Sequence, residues 1–390
     1  MAAPIKPSGG ILTEKDLKKV KPIEAQPGNA DDPEDFVGRS DVDENATRRL
    51  RNGNNLLLTD PRRMGKTYWM KHFCAVTAEY KTVYIDYEGV SSSEEFLTKT
   101  ASSLKNATGL PQKVAETMRG IFENIKGIDV AGIKIQPGVL TRSPLELLTT
   151  IIKQLDASSD SDLPWLICMD EVPLAILNIS KHESPEIAGV LLQTLRDLRV
   201  NTPNIRWIVG GSVGFHHVLH HANSTEGELN DLIDLPLGSL NPADAAELSC
   251  RLLASIAEKA DEGTIDAMVS CSSGIAHYLH AIVDTVAGKS VDTTITPAKI
   301  NQAFREYLED PDRSRATKHH EQRIEQYYGK DADMAKKSLM LPQKKKHQSR
   351  NYCKHVTLKV VFVMCCIYCK ETTTCYGRMM KSDGAMSHCA

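Results

Sequence analysis

The stretch Leu56 to Met70, LLLTDPRRMGKTYWM, constrains this chain more than any other. Leu56-Leu57-Leu58 is a short apolar run that ends in a loop, as a strand buried on both faces would. A helical pattern follows from Lys66 to about Tyr80. Between them, Asp60-Pro61-Arg62-Arg63-Met64-Gly65-Lys66-Thr67 matches the phosphate-loop spacing G-x-x-x-x-G-K-[ST] at every fixed position but the first, where Asp60 stands for glycine. A strand, a loop and a helix N-terminus aim successive N–H groups at one point and attract an anion there. Gly65 lets the backbone approach the phosphates. Lys66 suits the charge of the β- and γ-phosphates, and the Thr67 hydroxyl suits Mg²⁺. Asp60 lacks a glycine's conformational freedom and would repel phosphate, so its carboxylate is expected to point away.

A partner motif lies about one hundred residues downstream. Trp165-Leu166-Ile167-Cys168-Met169-Asp170-Glu171 is an apolar strand closed by adjacent carboxylates, the Walker B pattern. Asp170 is expected to hold Mg²⁺, and Glu171 to act as base or positioning group for an attacking water. Val209-Gly210-Gly211-Ser212 ends the next strand. Ser212 is a candidate sensor of the γ-phosphate, and a plain strand-to-turn GGS is the alternative.

The intervening segments alternate in type. Thr82 to Tyr87 reads as a second strand, 165–171 as a third, 205–212 as a fourth, and 231–240 contains a fifth. Helices are expected over 42–52, from Ser91 onward, from Pro144 to Leu155, and over 186–200 with Leu191, Leu192, Leu195 and Leu198 on one face. The pattern predicts an α/β fold: a P-loop NTPase with a parallel five-stranded sheet flanked by helices, followed by a small all-helical lid domain. The division is a flexible leader over 1–33, the P-loop domain over 34–240, the lid over 241–310, a helical basic segment over 311–340, and an atypical, disordered Cys-rich tail over 341–390. Residues 105–142 are less regular, with a short hairpin or edge strand in IDVAGIKIQPG.

Composition narrows the partners. Hydrophobic residues are 41% and charged residues 25%, which is ordinary globular usage. A net charge of −3 does not suit nucleic-acid binding over the whole surface. No apolar run reaches the roughly 18 residues of a membrane span, and MAAPIKPSGG has no signal-type apolar core. Cys74, Cys168, Cys250 and Cys271 sit in apolar or helical segments and read as buried free thiols. The expected location is cytoplasmic, with no membrane partner.

Phe36-Val37-Gly38-Arg39, the PRRMGKT loop, VYIDYEG, CMDEVP and GGSVGF together resemble the AAA+-like P-loop ATPases of the STAND class, in their archaeal-ATPase and origin-recognition-like branch. The resemblance spans about 34–330. It implies ATP and Mg²⁺ as cofactors. Val37 and Gly38 would pack the adenine. Asp60, Pro61, Arg62, Arg63, Met64, Gly65, Lys66, Thr67 and Tyr68 would surround the phosphates. Thr67 and Asp170 would hold the metal, and Glu171, Lys66 and Ser212 would serve catalysis. Gly274-Ile275-Ala276 falls where such families carry a Gly-x-Pro turn, with Ala276 in place of the proline. The implied function is a slowly hydrolysing regulatory switch that couples nucleotide state to conformational change, oligomerisation or a protein effector. The alternatives are a DNA-associated origin-recognition-like ATPase, for which no intact reading motif is visible, and a nucleotide-binding scaffold without turnover.

Several further residues carry two readings each. Arg62 and Arg63 either contact phosphate or pair with acidic neighbours. Arg196 and Arg199 either reach a neighbouring subunit's phosphate or, as preferred, lie on a solvated helix face. His216, His217, His220 and His221 have metal-capable i,i+4 spacing, but a post-sensor loop or helix is preferred. Cysteines from 353 onward suggest zinc only at non-standard spacings, and the basic run over 313–350 is read as solvated rather than as a nucleic-acid contact.

Overall fold

The computed structural model describes residues 11–28, 32–123, 142–158, 163–212, 215–257, 259–288 and 294–309. The hairpin expected in IDVAGIKIQPG, the basic segment and the Cys-rich tail lie outside the described residues. The chain forms two units: Asp31–Gly238, and a second that groups residues 11–28 with those from Ser239 onward.

Within the expected leader, residues 11–28 carry local structure. Thr13 caps α1 (Glu14–Leu17), its hydroxyl donating to Asp16 at 2.6 Å. Leu12 pairs antiparallel with Ala260 through N–H···O bonds of 2.9 and 3.0 Å, and the Ile23 N–H donates to Arg251 O. Leu17 and Ile23 are buried. The ordering comes from these distant partners, and apolar residues spaced so widely show no local period.

The larger unit follows the strand–helix alternation. Its elements are α2 (Ser40–Arg51), β1 (Asn55–Leu58), α3 (Lys66–Val76), β2 (Lys81–Asp86), α4 (Ser93–Lys105), α5 (Gln112–Glu123), α6 (Pro144–Ala157), β3 (Trp165–Asp170), α7 (Val172–His182), α8 (Pro185–Asn201), β4 (Ile205–Gly210), α9 (Phe215–His221) and β5 (Leu232–Asp234). The strands form one sheet of order β2-β3-β4-β1-β5, with every neighbouring pair parallel. All of β1 and β3 is buried, which explains their unbroken apolar runs. Leu56, Leu58, Trp69, Met70, Phe73, Leu166 and Ile208 share one core cluster between the sheet and α3. Register pairs Leu58 with Gly210 and Asp86 with Asp170. The carboxyl ends of β1, β3 and β4 therefore share one edge, where loops of parallel sheets build ligand sites.

Helix α7 has no counterpart in the sequence reading. Seven of its residues, Val172 and Pro173 among them, are buried, so it presents no polar face to create a helical period.

The smaller unit continues with α10 (Pro242–Leu253), β6 (Lys259–Ala260), α11 (Thr264–Ser272), α12 (Ala276–Ala287), β7 (Thr294–Ile295) and α13 (Pro297–Glu309). Asn241 caps α10 by accepting from Asp244 N–H at 2.9 Å, with Pro242 in the first turn. On α12, His277 is buried and hydrogen-bonded to the Tyr307 hydroxyl at 2.9 Å. The all-helical expectation needs one correction: β6 and β7 pair in parallel, Ala260 opposite Ile295. Two-residue strands are too short to show alternation.

Candidate functional site

The loop after β1 turns through two left-handed residues, Arg63 (φ 75°) and Gly65 (φ 83°). A Cβ at Gly65 would meet no protein atom, so glycine serves the backbone angle and leaves the space before α3 open. Lys66 opens α3 with its side chain folded over the loop, donating to the carbonyls of Asp60 and Pro61. Asp60 does not enter the cradle. Its carboxylate accepts from Leu237 N–H at 2.9 Å and Gly238 N–H at 3.0 Å. Arg39, buried and itself left-handed at φ 66°, completes this clasp. It donates to Leu237 O at 2.6 Å, Gly238 O at 3.0 Å and Met64 O at 2.9 Å. Both peptide groups after β5 are thus held at donor and acceptor.

The acidic end of β3 meets the start of α3. Thr67 Oγ1 donates to Asp170 Oδ2 at 2.5 Å, and the Tyr84 hydroxyl donates to the same oxygen at 3.1 Å. Asp170 Oδ1 accepts from Glu171 N–H at 2.9 Å. Burial pushes the Asp170 carboxyl above its ordinary range, against the pull of the Thr67 hydroxyl; Glu171 raises it further, and Lys66 and Tyr84 counteract. Burial, then the Asp170 charge, pushes the Tyr84 phenol up. A hydroxyl and a buried carboxylate are hard oxygen donors that fit Mg²⁺. The carboxylate's charged form is disfavoured by its surroundings, and a cation would relieve that. Thr67 and Asp170 would hold it.

Glu171 caps α7 in a left-handed conformation at φ 54°. Its Oε2 accepts from Ser212 N–H at 3.1 Å and from Ser212 Oγ at 3.0 Å. The glycine pair before Ser212 makes this approach possible. A Cβ on Gly211 would lie 2.5 Å from Pro173 Cδ, and one on Gly210 2.9 Å from Met70 Cε.

The remaining residues divide. Val37 is buried and Gly38 is left-handed at φ 77°, next to Arg39 and its bond to the loop. Phe36 stacks on His72 with centroids 4.0 Å apart and meets Tyr68 edge-on at 5.0 Å. The Tyr68 hydroxyl donates to Asp32 O. Arg62 is exposed and Arg63 half-buried. Arg199 contradicts the solvated reading: it is buried, bidentate to Asp231 at 2.6 and 2.8 Å, and bonded to Glu228 O at 2.7 Å. The Asp231 carboxylate lies in the segment before β5, 32 positions away, where no helical spacing signals it. Gly274 packs within the smaller unit, where a Cβ would lie 2.5 Å from Leu240 O. Residues 215–221 are helical, and the side chains of His216, His217 and His220 lie outside the described residues. Among the described residues no three His, Cys, Asp or Glu side chains cluster as a metal site, and no helix is long and apolar enough to cross a membrane. Tyr84 went unread as a site residue, and Arg39 was read only as the end of the adenine-side FVGR segment, not as a partner of the loop. FVGR and the strand position beside Walker B were the available signals.

A strand–loop–helix cradle with Lys66, Thr67 and Asp170 at the carboxyl edge of a five-stranded parallel sheet defines an α/β P-loop fold. No family model and no curated protein matches the chain. Among solved structures it is similar to the Walker-type ATPase of Pyrococcus abyssi, at 17% identity over 89% of this chain and 93% of that one, TM-score 0.44. It is similar to the ADP form of the ORC2 protein of Aeropyrum pernix, at 15% identity over 72% and 71%, TM-score 0.44. It is also similar to the RuvB Holliday junction branch migration motor of Thermotoga maritima, at 10% identity over 75% and 78%, TM-score 0.40. The fold assignment rests on the sheet and loop geometry rather than on these likenesses.

Proposed function

We propose that this chain binds Mg²⁺-ATP and hydrolyses it slowly, acting as a regulatory switch of the STAND type in the cytoplasm. The observation that carries the reading is the 2.5 Å contact of Thr67 with Asp170 beside Lys66, with Asp60 turned out of the cradle. Amides of residues 62–67 would wrap the β-phosphate, and Lys66 would exchange its loop carbonyls for phosphate oxygens. Mg²⁺ arriving with the nucleotide would supply charge neutralisation at the phosphates. Val37 and Gly38 would border the base. Glu171 would accept the proton of the attacking water or orient it. Its Oε2 is held by two Ser212 donors, which fixes the carboxylate and leaves Oε1 to face the water. Ser212, joined to Glu171 in this way, would link the carboxylate to the γ-phosphate side of the site. Free thiols at Cys74, Cys168, Cys250 and Cys271 accord with a reducing compartment.

Calorimetric Mg²⁺-ATP titration and phosphate release on the full chain test the reading. Lys66→Ala should weaken binding more than tenfold. Glu171→Gln should bind normally and lose turnover by about 10²–10⁴-fold, the range for a lost acid–base group. Binding indifferent to Lys66→Ala sinks the proposal. Nucleotide-dependent sedimentation tests the switch, and identical profiles with ATP and ADP would remove it.

A further inference from the structure

The sulfurs of Cys74 and Cys168 lie 3.2 Å apart, although the residues are 94 positions apart in sequence. Cys74 sits in the last turn of α3 and is half-buried, whereas Cys168 lies inside β3 and is fully buried. Neither has a part in the proposed reaction. A single buried cysteine packs as a small hydrophobe. Two sulfurs meeting across a helix–strand contact are a different case: an S–S bond is about 2.05 Å long, so closure needs only about 1 Å of movement. The other described cysteines make no such pair, and Cys271 donates instead to Asn301 Oδ1 at 3.4 Å.

We propose that Cys74 and Cys168 form a peroxide-oxidisable dithiol, a modification site whose disulfide clamps α3 to β3. Hydrogen peroxide meets the more accessible Cys74. Its sulfur attacks one peroxide oxygen, the S–O bond forms and the O–O bond breaks, and the departing hydroxide takes the thiol proton as water. Cys168 sulfur then displaces the hydroxyl from Cys74. The S–S bond forms, the S–O bond breaks, and a second water leaves with the Cys168 proton. Two thiols lose two electrons in all, and one peroxide becomes two waters. The bond would tie the helix that begins with Lys66 and Thr67 to the strand that ends at Asp170.

The test treats the reduced full-length chain with near-stoichiometric hydrogen peroxide, blocks remaining thiols with iodoacetamide and digests it with trypsin without reductant. Mass spectrometry should find peptides 72–81 and 154–181 joined. A long closed loop predicts a Tm higher by several °C in the oxidised protein, reversed by dithiothreitol. Cys74→Ser should abolish the crosslink and the Tm rise, and Cys250→Ser should keep both. Absence of the joined peptides, Cys74 recovered as sulfinic acid, or a Tm rise that survives Cys74→Ser would overturn the proposal. No readout involves nucleotide, so the result is independent of the ATPase reading.

Discussion

Restoring the phosphate-loop pattern at its first position should weaken this protein. The Asp60 carboxylate holds the amides of Leu237 and Gly238 at 2.9 and 3.0 Å. Hydrogen bonds to a charged group contribute about 1.5–3 kcal/mol each, and partial solvent access places two of them near the lower half of that sum. Asp60→Ala is therefore expected to cost about 3–4.5 kcal/mol. Asp60→Gly should cost at least as much, because a glycine adds about 0.5–1 kcal/mol of unfolded-chain entropy. Asp60→Asn keeps one acceptor and turns an amide donor toward the second N–H, so it should lose at least half as much as Ala. Urea unfolding followed by tryptophan fluorescence reads this directly, since Trp69, Trp165 and Trp207 are all buried in the same unit. With a slope of about 2–3 kcal/mol/M, the midpoint should fall by about 1–2 M. An Asp60→Ala midpoint within experimental error of wild type, or an Asp60→Gly protein more stable than wild type, would refute the clasp.

Three other outcomes are expected. The buried Asp170 carboxyl keeps its proton to higher pH in the folded protein than in the unfolded chain, so its contribution to stability falls as pH rises above the ordinary 3.8. Asp170→Asn should remove that fall, flattening the decline of Tm with pH above 3.8 in thermal melts while abolishing turnover; a variant whose Tm falls with pH as steeply as wild type contradicts this. Gly211→Ala drives a methyl into Pro173, and about 1–3 kcal/mol of stability should be lost together with turnover, measured by urea unfolding and phosphate release. Arg199→Leu strands a buried carboxylate and should cost about 3–5 kcal/mol, most of it recovered in Arg199→Leu with Asp231→Leu. Thermal melts of the single and double variants would show the recovery, and a double variant as unstable as the single would contradict the internal pairing.

Much of the candidate site was legible because the proposed phosphate chemistry would demand residue types in fixed order. GKT at a helix start and DE at a strand end announced Lys66, Thr67, Asp170 and Glu171, and the structure brings Thr67 to Asp170 and Glu171 to Ser212. The parallel sheet was legible because strands buried on both faces write continuous apolar runs. The unread parts lack local period. Helix α7 is buried too thoroughly to show a polar stripe. The ordering of residues 11–28 depends on Ala260, Arg251 and other partners far along the chain. The loop substitution at Asp60 was legible as an outward-pointing side chain, but nothing near it in sequence names Leu237 and Gly238 as its destination. The paired thiols of Cys74 and Cys168 were visible only as two separate cysteines.

The clasp around Leu237 and Gly238 also changes how the loop's opening position should be understood. Glycine there is one solution to a general demand, that no side chain occupy the anion's berth. Another solution is a side chain with a stronger appointment elsewhere, and aspartate keeps one with two waiting amides. Aspartate with a guanidinium gripping the same downstream carbonyls is thus a geometric substitute for glycine that a glycine-only pattern overlooks.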